Sequence, residues 1–181
     1  MNCFGMDRCA RISARLMCDT HNNKMIVESA QMLSTAHHEL GSDVTGLYKP
    51  THVNHPMNVW VRSDRSHYLW LLSHLDELLL ERQYRFPNKA LHKTGGILSG
   101  LTIVPADIPV GNRQDMPQCM PEEFKHDDFT AAYKRYYSSK LLDWMTRDGK
   151  RKIIPKWTLR GIPLFIKYFL DQEGVDYVDD I

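Results

Sequence analysis

No apolar run in this 181-residue chain approaches the ~20 residues that a helix needs to cross a bilayer. The opening Met1-Asn2-Cys3-Phe4-Gly5-Met6-Asp7-Arg8 lacks the basic-then-apolar layout of a secretory signal. No membrane partner is expected, and the expected location is cytoplasmic. Cysteine is scarce. The four, Cys3, Cys9, Cys18 and Cys119, form no C-x-x-C pair and are too few for a disulfide framework at this length, which fits a reducing compartment. Internal repeats and low-complexity tracts are missing, and alternating period-2 runs are rare, which argues against a sheet protein. A large net charge is missing too, at +1 from 23 Lys and Arg against 22 Asp and Glu.

That balance hides an asymmetry. The stretch Asp171 to Ile181 holds five acids and no Lys or Arg, leaving 23 basic against 17 acidic side chains in the rest. Between 147 and 167, Arg147, Lys150, Arg151, Lys152, Lys156, Arg160 and Lys167 face one acid, Asp148. A local basic patch is what phosphate binding requires, whatever the global charge.

What is present is helical periodicity. Short helices are predicted at 7–17 and 89–99. A long one is predicted over 20–39, capped by Asp19 or Thr20 and stopped by Gly41. Pro56 suits the first position of a helix. The strongest pattern runs from Ser63 to Phe86, with Leu69, Leu72, Leu75, Leu79 and Arg82 at 3–4 spacing. Residues 101–121 read as a proline-rich connection. A helix over 127–145 starts at an Asp127 or Asp128 cap, and a last one follows Gly161-Ile162-Pro163 to Leu170. The expectation is a compact all-α bundle in one domain over 1–170, with an acidic tail at 171–181.

The helix over 20–39 carries a stripe. His21, Lys24, Glu28, Gln31, Thr35 and His38 follow one another at steps of three and four, so they share one face. Ile26, Ala30, Leu33 and Ala36, with Met25 and Ser29, form the packing face. A polar stripe is ordinarily a solvated surface. This one is rich in groups that donate, accept or exchange protons. A carboxylate one turn from an amine can stabilise an iminium or oxocarbenium charge, and His21 can shuttle a proton.

These residues carry a resemblance. Asp19-x-His21, followed seven residues later by Glu28, resembles the phage pyrimidine-dimer DNA glycosylases of the endonuclease V type. Pro50-Thr51 followed by the aromatic and Leu-rich stretch Trp60 to Arg85 is similar to that family's middle section. A late Tyr-bearing helix, then Lys150 to Lys152 and Pro155-Lys156-Trp157, is similar to its closing Pro-x-Trp segment. The blocks keep their order over about 20–160. The string Cys-Asp-x-His-x-x-Lys-Met-x-x-Glu, with the opening Met-Asn-x-Phe, also resembles small phage-encoded proteins.

The resemblance implies an all-α fold, double-stranded DNA as the partner and attack at the sugar C1′ of a pyrimidine nucleotide, with no metal or cofactor. It assigns catalysis to Glu28, supported by Lys24, His21 and Asp19. The family's nucleophile is the α-amine of a small second residue. Asn2 stands there in this chain, which shifts attention to Lys24 as the amine or to a non-covalent route through Glu28. Ser29, Ala30 and Gln31 follow Glu28 where the family has arginines, so recognition of damage is expected to differ. A changed activity on the same scaffold, such as hypermodification of a phage pyrimidine, is a related alternative.

Expected DNA contacts are Gln31, the loop residues His52, Asn54 and His55, and Lys152, Lys156, Trp157 and Arg160, with Trp157 as a stacking candidate. Tyr133 and Tyr136, at helical spacing, are assigned to packing. Cys18 is placed as a small hydrophobe near His21. Two other readings compete. His55 or His21 with His126-Asp127 and Asp143 can be threaded onto a metal-dependent HD-type phosphohydrolase. A non-catalytic protein can use the basic segment to hold nucleic acid or a host factor.

Overall fold

The structure, a computed structural model, describes residues 2–148 and 151–177. Lys150 of the basic segment, and Asp179 and Asp180 of the acidic tail, lie outside the described residues. Among those described the chain is all helical: α1 (Ala10–Arg15), α2 (Asp19–Glu39), α3 (Pro56–Ser63), α4 (Arg65–Arg85), α5 (Leu98–Leu101), α6 (Phe129–Thr146) and α7 (Leu164–Gln172), with short 3-10 turns at Lys93–Ile97 and Glu122–Phe124. The all-α, single-domain expectation therefore holds.

The long pair α2 and α4 forms the centre, with α1 on α4, α3 on both, and α6 beside α7. Ile26, Ala30, Leu33 and Ala36, with Met25 and Ser29, are buried as the pattern predicts. Pro56 is the first helical residue of α3, and Asp128 caps α6 by accepting from the Thr130 N–H. The predicted cap of α2 is corrected. Cys18 occupies that position with extended backbone, and Asp19 is already helical.

The single stretch expected from Ser63 begins instead at Arg65. Asp64 breaks the chain between α3 and α4 with extended backbone (φ −156°, ψ 143°), and its carboxylate accepts from the Ser66 N–H at 2.7 Å and from the Asn112 N–H at 2.7 Å. The Ser66 hydroxyl, donating to the same carboxylate at 2.6 Å, acts most strongly and with those bonds holds the Asp64 pKa down at about 2. The expected 89–99 helix is reduced to the 3-10 turn and the single turn α5.

Candidate active site

The helix α2 brings its stripe to the surface only in part. Lys24 is exposed, Glu28 has a side chain 17% accessible, and Lys24 Nζ lies 3.3 Å from Glu28 Oε1. The other carboxylate oxygen, Oε2, accepts from the Asn2 main-chain N–H at 2.9 Å. The N-terminal segment is tied there from one further side and shaped by a local turn. The Asn2 side-chain amide donates to the Cys119 carbonyl at 3.2 Å, and its Oδ1 accepts from the Phe4 N–H at 3.0 Å. Gly5 lets the segment pack closely on Met116, since a Cβ on it would fall 2.6 Å from the Met116 sulfur. One exposed amine, one main-chain N–H and one half-shielded carboxylate thus meet at a single point.

The loop before α3 closes one side. Thr51 N–H donates to Thr35 Oγ1 at 3.2 Å, which clamps the loop onto α2. Buried Asn58 donates its amide to the Thr51 and His52 carbonyls at 2.8 and 2.9 Å. Those bonds hold His52 in the left-handed region, φ +47°, a conformation that non-glycine residues adopt only when their surroundings impose it. The His52 ring is exposed and sits 2.7 Å from Thr51 Oγ1 through Nδ1. His55 caps α3, accepting at Nδ1 from the Met57 N–H at 3.2 Å. Burial, aided by the nearby His52, lowers the His55 pKa, while the Glu28 carboxylate acts in the opposite sense. The His55 imidazole therefore lies within the electrostatic reach of Glu28. Gln31 is half-buried, one turn beyond Glu28, and Asn54 is exposed on the loop.

Other expected site residues are placed elsewhere. His21 is buried in an aromatic nest, stacked on Trp144 at 4.5 Å between ring centres and 3.1 Å from the Tyr137 hydroxyl through Nδ1. Burial drops its pKa to about 3, so the proton-shuttle role is replaced by packing. Thr35 is buried too, spent on the loop clamp, and His38 is half-buried with Nε2 at 3.1 Å from the Tyr48 carbonyl. The stripe is thus not one open face: α6 and the 51–55 loop cover its ends.

Asp19 is structural in its contacts. Its carboxylate accepts from Arg85 Nη1 at 3.1 Å and from the Thr158 hydroxyl at 2.7 Å. Arg85 is fully buried and also donates to Glu81 and to the Met17 and Arg15 carbonyls, joining α1, α2 and α4. Burial raises the Glu81 carboxyl, but bonds and charge from Arg160 and Arg85 outweigh it, and the net shift is downward.

The basic segment is corrected in two places. Trp157 is 5% exposed, with its indole N–H donated to the Leu16 carbonyl at 3.0 Å, so its ring is core and offers no stacking face. Arg160 is committed to Glu81 and lies over the Tyr84 ring at 4.3 Å. Lys152 and Lys156 remain exposed. Tyr133 is buried and Tyr136 packs against the core, as expected. Cys18 is buried and its thiol pKa is raised by that burial, consistent with a small hydrophobe.

For the metal reading, no group of three or more His, Cys, Asp or Glu among the described residues is arranged to hold an ion. His126 is used locally, accepting at Nδ1 from the Asp128 N–H at 3.0 Å. No helix among the described residues is long and apolar enough to cross a membrane.

The role of Asn2 as a donor to Glu28 was not readable from the helix pattern, since the contact spans 26 residues; only the resemblance pointed to the second residue. Cys119 and Asn58 carried no signal beyond their presence near proline-bounded loops, and Thr51 entered only through the resemblance at Pro50-Thr51. Neither protein families, nor curated proteins, nor solved structures yield a match to this chain.

Proposed function

We propose that the protein is a DNA glycosylase-like enzyme, attacking a damaged or modified pyrimidine nucleotide in duplex DNA at C1′ with Glu28 as the carboxylate beside the sugar. One observation carries this reading: Lys24 Nζ and the Asn2 N–H converge on the two oxygens of one partly accessible carboxylate, at 3.3 and 2.9 Å. A solvated helix face gives an i,i+4 Lys–Glu pair, but it does not bring a segment 26 residues away onto the same group.

The chemistry follows from the charges. When the N-glycosidic bond breaks, its electron pair leaves with the base, which takes up a proton, and positive charge develops on the sugar. A fixed carboxylate stabilises that charge without reorganising. In the covalent route a neutral amine adds to C1′, and the adduct opens to an imine. With residue 1 attached, the Asn2 nitrogen is an amide and serves only as a donor that aims Glu28. The amine of this route is Lys24, whose Nζ lies 3.3 Å from Glu28 Oε1. Gln31, one turn beyond Glu28, and His52 and Asn54, exposed on the neighbouring loop, are assigned to hydrogen-bonding the target nucleotide.

Borohydride reduction tests the covalent route. With duplexes carrying damaged or modified pyrimidines, the wild type is expected to yield a protein–DNA adduct on the peptide containing residue 24. Lys24→Ala is expected to yield none. A base-releasing wild type that never traps, or an adduct mapped elsewhere, removes Lys24 as the nucleophile.

A further inference from the structure

The sequence places its basic patch at 147–167, yet two members of that segment are consumed internally, Arg160 by Glu81 and Trp157 by the core. Two further cations without an ion-pair partner among the described residues, Arg11 and Arg113, lie on another face, at the junction of α1, the first turns of α4 and the 111–115 loop. There an open concavity of about 330 Å³ is lined by Arg11 and Arg113, the Trp70 ring, the Ser66 and Ser73 hydroxyls and the Cys9 thiol. No carboxylate lines it. Arg11 and Arg113 are exposed, and neither makes an ion pair or hydrogen bond among the described residues. Opposite charges this accessible normally find each other across a surface. Two unpaired guanidinium groups flank one hollow, while Asp115 of the adjoining cleft is engaged by Arg8, which leaves the hollow lined by positive charge.

Trp70 is fixed rather than loose. Its indole N–H donates to the Arg8 carbonyl at 2.8 Å, and one side stacks on His74 at 5.2 Å and 14°. It meets Trp60 edge-on at 6.1 Å. A rigid aromatic wall between two arginines, with Ser73 beside it, suits a phosphodiester with its adjoining sugar or base: the guanidinium forks take phosphate oxygens and the ring takes the apolar face.

The hollow is also within reach of the Glu28 site. Asn2 hydrogen-bonds Glu28, and six residues later Arg8 lines the narrower cleft that adjoins the hollow and shares Ser66, Trp70 and Arg113 with it. Six extended residues span at most about 20 Å, which bounds the distance between Asn2 and Arg8.

We infer that the Arg11–Arg113–Trp70 hollow is a phosphate-anchoring site for nucleic acid, separate from the Glu28 centre and carrying more of the binding than the exposed lysines of 147–167. The inference rests on the nucleic-acid partner of the proposed function but not on its chemistry. Fluorescence anisotropy with a labelled 20-base-pair duplex, titrated at several salt concentrations, tests it. The variants are Arg11→Ala with Arg113→Ala, Arg11→Lys with Arg113→Lys, and Lys152→Ala with Lys156→Ala. The double alanine variant at the hollow is expected to lose about tenfold in affinity or more and to flatten the log–log salt slope by roughly two, one for each lost phosphate contact. The lysine pair is expected to keep most of the slope. Thermal melting of each variant checks that both arginine pairs can be replaced without unfolding, as their exposure leads one to expect.

Unchanged affinity and slope in the alanine pair, with loss in the Lys152 and Lys156 pair, overturns the anchor while leaving the proposed chemistry standing. Equal loss for dextran sulfate and for DNA overturns the assignment to nucleic acid. A wild type that binds no duplex at any salt concentration overturns both readings. Retained duplex binding through the hollow together with absent base release sinks only the enzyme.

Discussion

His74 lies fully buried on α4 with neither ring nitrogen hydrogen-bonded and its ring stacked on Trp70. Burial holds its pKa at about 3, as it does for His21. Unfolded, both rings take a proton near pH 6.5; folded, they resist it until about pH 3. The unfolded chain therefore binds more protons between those limits. Stability from these two rings is fully present above pH 6.5 and is lost as pH falls toward 3, by up to about 1.4 kcal/mol per pH unit for each ring. His74→Phe keeps the stack and removes two unpaired polar atoms. It is expected to raise stability by about 1 kcal/mol at pH 7.5 and by more at pH 5. Urea unfolding at the two pH values reads both effects, and an unaltered pH dependence would mean that His74 already finds a partner.

At the scale of elements, the site depends on how α2 is covered, and the cover comes from far along the chain. The packing face of α2 was legible because 3.6-residue periodicity depends on the helix alone. The exposure of its polar stripe was not legible. Tyr137 and Trp144 bury His21 from a separation of more than a hundred residues, and the 51–55 loop claims Thr35.

On α4 the leucines lie on several faces, so the 69–72–75–79 series did not identify the core side. The buried side carries Tyr68, Leu71, Leu75 and Leu78 together with Glu77, Glu81 and Arg85, while Leu69 is 40% exposed. Polar residues that bury as an ion cluster invert the usual polarity signal. The loop makes a test of this kind of positioning. Asn58→Ala deletes both bonds that hold the Thr51 and His52 carbonyls and is expected to cost about 1–3 kcal/mol. Hydrogen exchange of residues 51–55 is expected to accelerate much more than that of α2. Uniform acceleration would show that the loop is not set by Asn58.

Across the whole molecule, the proposed reading rests on two regions. The bundle of α2 and α4, locked at one end by Arg85, holds Glu28 in place, and the segments at 2–8 and 112–119 run from that carboxylate toward the arginine-lined hollow. The fold class followed from periodicity, and the resemblance in the 19–28 segment directed attention to the carboxylate. The partners of that carboxylate were hidden because they meet only through the packing of distant loops. The same is true of the free cations, since a sequence gives the number of arginines but not which ones find acids.

The central claim is that Glu28 stabilises charge at a nucleotide's C1′, and base release by Glu28→Gln tests it most directly. That change keeps the size and a hydrogen-bond acceptor for the Asn2 N–H while removing the charge. Single-turnover base release from duplexes carrying damaged or modified pyrimidines is expected to fall by on the order of 10²-fold or more, with duplex affinity and melting temperature unchanged. Full activity in Glu28→Gln on a substrate that the wild type processes would contradict the claim and leave Glu28 as a structural clamp for the N-terminal segment.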